Sequence, residues 1–236
     1  MQVFYASEIS KKSAILTDEE SKHALRVLRK KVGDELKCTD GKGQMAVGII
    51  KETTGKQCLI ELTELEQYAP PAYELQLVVS PTKNIARMEW LVEKCTELGL
   101  SSLQVIWTRH SERKKIKMER LLKKGLAAMK QSQQVYLPEF PEPLSLTDYL
   151  EKKPDGGLWV AHCRDDEKKV NWLNEAKPEG KHKIFIGPEG DFSTEEIDLL
   201  IRSGATPIHL GSRRLRTETA AMLCAATLYQ KASAYE

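Results

Sequence analysis

The chain has 236 residues, of which 41% are hydrophobic and 30% charged, so it is a globular protein and not a disordered polymer. At roughly 150 residues per domain, the length allows one large domain or two modest ones. Lysine and arginine number 36 against 34 aspartates and glutamates, so the overall field selects no partner, and the information lies in where the charges fall.

The first seventy residues read as β-rich. Residues 44–51 (QMAVGIIK) and 57–62 (QCLIEL) are short β-branched or apolar segments separated by a turn at Thr54-Gly55, and Asp40-Gly41 is a turn signal before the first. A helix is predicted over 18–29, with Thr17 as N-cap and Glu20 as its capping-box partner. His23, Arg26 and Arg29 or Lys30 then recur at helical spacing on one face, while Leu25, Val27 and Leu28 point inward. Residues 66–73 (EQYAPPAY) read as a linker, because consecutive prolines fit neither a helix interior nor a central strand. Domains are therefore expected at 1–68 and 73–236.

Beyond the linker the period changes. Strands are predicted at 75–80, 103–107, 158–161, 184–186 and 207–210. Helices are predicted at 85–98, 118–129, 193–203 and from 217 to about 231. Gly99 and Gly204 stop two of them, and Ser193 with Glu196 forms a capping box at the start of the third. Alternating strand and helix implies a mostly parallel sheet covered on both faces.

Positive charge is concentrated in two stretches. Residues 21–33 carry five basic side chains and no acid, and residues 101–131 carry nine against Glu112 and Glu119. Such local density suits phosphate, although solvated helix faces look the same in sequence. No apolar run approaches the roughly 18 residues of a membrane span, and residues 1–10 lack the pattern of a secretory signal. Five scattered cysteines without a CxxC pair argue against a disulfide framework or zinc site, and five dispersed histidines argue against any metal. A cytoplasmic protein without a metal is expected.

GKGQMA (residues 41–46) fits a dinucleotide fingerprint as a string, but a strand pattern follows it where a helix is required, so it reads as a hairpin turn. The informative segments come later. KIFIGPEGDFS (183–193) is a buried strand, a loop with Gly187, Pro188, Glu189 and Gly190, and an immediate capped helix. Ligands bind off the carboxyl ends of strands in such sheets, which is where this loop falls. IHLGSRRLRTETAA (208–221) repeats the plan, with Arg213, Arg214 and Arg216 clustered beside Thr217, Glu218 and Thr219 as a reader of phosphate or another anion.

Together these segments resemble the paired carboxyl-terminal motifs of the bacterial 16S ribosomal RNA (uracil-N3) methyltransferases of the SPOUT superfamily. SKHALRVLRKKVGDEL resembles that family's amino-terminal RNA-binding stretch, MEWLVEKCTELGL the first helix of its catalytic domain, and AAMKQS a later helix. The resemblance covers nearly the whole chain. It implies a PUA-like β-barrel followed by an α/β domain whose end is threaded into a trefoil knot, a topology that pattern reasoning would have argued against. It also implies a homodimer that binds S-adenosylmethionine and methylates N3 of one uridine of 16S ribosomal RNA in the small ribosomal subunit. By the same resemblance the cofactor loops are Gly187, Pro188, Glu189 and Gly190; Leu210 and Gly211; and Leu215, Arg216, Thr217, Glu218, Thr219 and Ala220. His23, Arg26, Arg29 and Lys30 are the implied RNA grip. Two departures stand out: Asp191 where many relatives have a second glycine, and Lys130 where an acid is frequent. Asp191 is expected to cap the following helix or reshape the loop.

Chemistry suggests roles within that set. Uracil N3 carries a weakly acidic proton, so Glu218 is the candidate base and Arg216 the candidate stabiliser of charge on the uracil oxygens. Because N3 lies on the Watson–Crick edge, the target must be unpaired or unstacked. Two rival readings stay open: a knotted methyltransferase acting on ribose 2′-oxygen or another base, and a non-catalytic RNA-binding factor of ribosome assembly.

Overall fold

A computed structural model describes residues 2–54, 57–165 and 168–234. The described residues fall into two compact units, 1–70 with 126–137, and 71–125 with 138–236.

The first unit is a closed barrel of β1 (Val3–Ile9), β2 (Ser13–Leu16), β3 (Glu35–Thr39), β4 (Gln44–Thr53) and β5 (Cys58–Gln67), in the order β1-β2-β5-β4-β3. All pairs are antiparallel except β1 with β3. Phe4, Leu16, Leu36, Ile50 and Ile60 alternate into its interior and are fully buried. GKGQMA is the β3–β4 hairpin, closed by Asp40 Oδ1, which accepts from Lys42 N at 2.7 Å and Gln44 N at 3.1 Å. The turn expected at Thr54-Gly55 includes Gly55, which lies outside the described residues.

The predicted amino-terminal helix differs from the expectation. Thr17 does cap α1 (Asp18–Lys22), its hydroxyl accepting from Glu20 N. The helix then widens into a π-helical turn at His23–Val27, with Leu28 N bonded to His23 O at 3.1 Å, and Arg29 adopts a left-handed φ of 54°. The wider turn rotates Val27 and Leu28 to the surface, where they are 67% and 39% exposed instead of buried. It also takes Arg29 off the helical face shared by His23 and Arg26. Glu20 completes no capping box; its side chain is buried and paired with Lys130 Nζ.

The second unit is a seven-stranded sheet in which every pairing is parallel. Its strands are β6 (Tyr73–Val79), β7 (Ser102–Trp107), β8 (Leu144–Ser145), β9 (Gly157–Ala161), β10 (Val170–Asn171), β11 (Gly180–Ile186) and β12 (Thr206–His209), ordered β10-β12-β9-β11-β6-β7-β8. The helices are α2 (Ile85–Glu97), α4 (Leu146–Glu151), α5 (Trp172–Glu175), α6 (Thr194–Arg202) and α7 (Thr217–Ser233), with α3 (Met118–Gln131) up to residue 125, its later residues belonging to the first unit. Leu75, Leu77, Val79, Ile184 and Ile186 face one layer with α2 and α7, while Val78, Phe185 and Ile106 face the other with α4 and α6. Burial on both faces explains why these strands read as continuous apolar runs. Each fully buried Leu, Ile or Phe contributes roughly 1.5–3 kcal/mol. Ser193 and Glu196 form the predicted capping box, with both reciprocal bonds present.

Candidate active site

The carboxyl ends of β9, β11 and β12 lie side by side, because β9 pairs with both others. The loops leaving them border one cleft of about 720 Å³, a size suited to a nucleoside-sized ligand. Gly187, Pro188, Glu189 and Asp191 come from the β11 loop, and Leu210 through Thr217 with Ala220 come from the β12 loop and first turn of α7. Ala161, His162, Cys163, Asp165 and Lys169 complete the wall after β9.

Thr217 joins two of these loops. Its hydroxyl donates to Gly187 O at 2.8 Å, with the threonine 5% exposed. Gly187 leaves little room for a side chain, since a Cβ there would lie 3.0 Å from Phe192 N and 3.1 Å from Asp191 C, and the backbone at 191–192 would have to give by a few tenths of an ångström. Gly211 has φ of 119°, which a residue with a side chain could not adopt there without strain.

Asp191 supplies a second tie. It also has a left-handed φ of 60°; its Oδ1 accepts from Phe192 N at 2.8 Å and its Oδ2 from Cys163 N at 2.7 Å. It therefore staples the β11 loop to the β9 loop and does not cap α6, whose cap is Ser193. Burial, reinforced by the Asp191 carboxylate, raises the Cys163 thiol pKa. His110 Nδ1 lies 3.1 Å from Gly190 O and 3.0 Å from Asp191 O. Carbonyl oxygens only accept, so Nδ1 carries the proton and donates.

On the other side, Glu189 accepts from Lys83 N at 3.2 Å and pairs with Arg87 Nη1 at 3.4 Å. Arg87 Nε lies 3.6 Å from Glu218 Oε1. A single guanidinium in the first turn of α2 thus touches an acid of the β11 loop and an acid of α7.

Residues 69–229 match the family model of the RNA methyltransferase domain, and residues 16–63 match that of the RNA methyltransferase PUA domain. The chain belongs to this RNA methyltransferase family. The PUA match falls on the barrel, and the α/β unit has the fold of the SPOUT methyltransferases. Among its relatives, ribosomal RNA small subunit methyltransferase E of Aquifex aeolicus is 30% identical over 93% of this chain and 95% of its own length. A structure described as a "probable rRNA-methyltransferase" from Porphyromonas gingivalis is 31% identical and superposes over 100% of both chains with a TM-score of 0.86. Ribosomal RNA small subunit methyltransferase E of Neisseria gonorrhoeae, solved bound to S-adenosyl methionine, is 22% identical and covers 98% of this chain and 97% of its own, with a TM-score of 0.84.

Within this methyltransferase, the residues expected at the cofactor loops divide. Gly187, Pro188, Glu189, Leu210, Gly211, Leu215, Arg216, Thr217 and Ala220 border the cleft. Gly190 does not; it is packed on His110, where a Cβ would come within 3.3 Å of the His110 Cβ. Thr219 and Glu218 border a neighbouring concavity that shares Arg87 and Arg216 with the cleft. The sequence reading missed the whole β9 wall, Asp191 as a staple, and Arg87. Of the expected RNA grip, Arg26 and Arg29 are exposed, His23 is half-buried with its ring 6.0 Å from that of Phe4, and Lys30 Nζ donates to Glu35 O at 3.3 Å. Lys130 serves the buried pair with Glu20. Among the described residues no cluster of side chains could hold a metal, and no helix is long and apolar enough to cross a membrane.

Proposed function

We propose that this chain uses S-adenosylmethionine to methylate N3 of one uridine in the 16S RNA of the small ribosomal subunit, acting in the cytoplasm as a homodimer. The observation that carries the reading is the junction of Thr217 with Gly187, which makes one cleft of the two motifs in a chain of this methyltransferase family. The donor set suits the cofactor: Glu189 and Asp165 for its cationic groups, Arg213 and Arg214 for its carboxylate, and backbone of the glycine loops for an adenine edge. When bound, S-adenosylmethionine supplies a methyl group on a sulfonium.

Gly187, Pro188, Glu189, Leu210, Gly211, Leu215, Arg216, Thr217 and Ala220 hold the cofactor in this reading, and Gly190 and Thr219 act from behind the wall. Alignment is the main contribution of the loops, and such positioning can supply roughly 7–11 kcal/mol. Glu218 takes the N3 proton and Arg216 faces the uracil oxygens. Arg26, Arg29, Lys30 and His23 grip the RNA backbone. Exposed Leu173 and Tyr229 offer apolar surface to a second copy.

The test is transfer of labelled methyl to small subunits from a strain lacking the enzyme, followed by nucleoside analysis. N3-methyluridine is expected. Label on ribose or on another base would establish the rival specificity. No transfer, together with no thermal stabilisation by S-adenosylmethionine or S-adenosylhomocysteine, would establish a non-catalytic binder.

A further inference from the structure

Beside the cofactor cleft lies a concavity of about 370 Å³ lined by Ala86, Arg87, Trp90, Arg216, Glu218 and Thr219. Glu218 is 8% exposed, and its Oε2 has no hydrogen-bond partner among the described residues. A buried carboxylate oxygen without a donor is costly, so a ligand that donates there is its natural occupant. Its Oε1 is held 3.6 Å from Arg87 Nε. Arg216 is exposed and forms no ion pair among the described residues. The lining therefore offers one acceptor, Glu218, together with two guanidinium donors.

The Watson–Crick edge of uracil is the complement of that array: an N3–H donor between the O2 and O4 acceptors. Cytosine presents a lone pair at N3 and an amino donor at C4, which would set a lone pair against the carboxylate and N–H against a guanidinium. Selection by such unpaired groups is strong, because a wrong base leaves them buried and unmatched.

We infer that this concavity is the subsite for the target base, and that Arg87 determines specificity for uracil by donating to one of its two carbonyl oxygens while holding Glu218 in place. The inference rests on the N3-uracil reading above. In the step it serves, the N3–H bond breaks and an Oε2–H bond forms on Glu218, leaving charge on O2 and O4 facing the arginines. The freed N3 electron pair forms the new N–C bond as the C–S bond of the sulfonium breaks to a neutral thioether, and the proton on Glu218 later returns to water.

The experiment pairs enzyme and substrate changes. Small subunits are reconstituted with RNA carrying uridine, 2-thiouridine or 4-thiouridine at the position that the wild-type enzyme methylates, since sulfur is a poor acceptor. Single-turnover rates are taken at saturating S-adenosylmethionine, so that any effect of Arg87 on Glu189 and cofactor affinity is removed. The wild-type enzyme is expected to slow about tenfold or more with each sulfur. Arg87→Gln is expected to slow about tenfold on uridine and to become insensitive to one of the two sulfurs but not the other. Arg87→Lys, which keeps the charge without the planar fork, is expected to recover part of the rate and serves if the glutamine variant folds poorly. A wild-type rate indifferent to both sulfurs, or unchanged sensitivity to both in the Arg87 variants, overturns the assignment. A wild-type product other than N3-methyluridine overturns the underlying reading instead.

Discussion

Replacing Thr217 with valine tests the junction on which the cleft depends. The substitution keeps the shape and removes only the hydroxyl that donates to Gly187 O at 2.8 Å. Gly187 is buried and Thr217 is 5% exposed, so the substitution strips the donor from a carbonyl of a buried residue. A buried acceptor stripped of its partner costs about 1–3 kcal/mol. For a chain of this length, each kcal/mol lowers the melting temperature by about 2–4 °C, so Thr217→Val should melt about 2–12 °C lower. Because the bond joins two walls of the cleft, an energy of about 1–2 kcal/mol should also appear as about five- to thirtyfold weaker cofactor binding. Calorimetric titration with S-adenosylmethionine and thermal melting of Thr217→Val and Thr217→Ser measure both. The serine variant keeps the hydroxyl and should stay near wild type. A valine variant that melts and binds like wild type would refute the claim that this bond assembles the cleft.

Lys130→Met leaves Glu20 buried without its cation and should cost about 3–5 kcal/mol in urea denaturation, whereas Glu20→Leu with Lys130→Met should come close to neutral; equal losses would show that the ion pair is not the cause. Burial of His182, lodged between Trp159 and Trp172, lowers its pKa below that of the unfolded chain. Its contribution is therefore intact above the unfolded value of about 6.5 and is lost as pH falls through the folded value. Melting temperature should drop more steeply in wild type than in His182→Gln over that interval, and parallel curves would count against the mechanism. Replacing Arg26, Arg29 and Lys30 together by glutamine should reduce the salt dependence of small-subunit binding by about two to three in slope without touching cofactor affinity; an unchanged slope removes these residues from the RNA grip. Glu218→Gln should slow single-turnover methylation, and an unaltered rate would exclude Glu218 as the base.

Local signals carried much of the fold. The Ser193–Glu196 box, the stops at Gly99 and Gly204, and the alternation of strand and helix each depend on residues a few positions apart, and each is found where the spacing put it. What failed depends on distant partners. Glu20 looked like a capping residue because its true partner, Lys130, is 110 positions away. Asp191 left two readings open, a helix cap or a shaper of the loop, because the bond to Cys163 N that makes it the second crosses 28 positions. The π-helical turn left no trace, since HALRVL has the same apolar pattern whether it closes in the α or the π register. Short β8 and β10 with α4 and α5 were also passed over, their two to six residues being too few to establish a period. At the site, the glycine loops were legible as backbone requirements. Arg87 was not, because an arginine in the first turn of an amphipathic helix resembles any surface residue until Glu189 and Glu218 arrive beside it.

The hydroxyl that closes the cleft belongs to the residue opening α7, thirty positions after the carbonyl it meets. During synthesis, then, strands β6 to β12 can reach the exit of the translating ribosome while the donor pocket still lacks a side. The cleft is completed in one late event, when Thr217 emerges and meets Gly187.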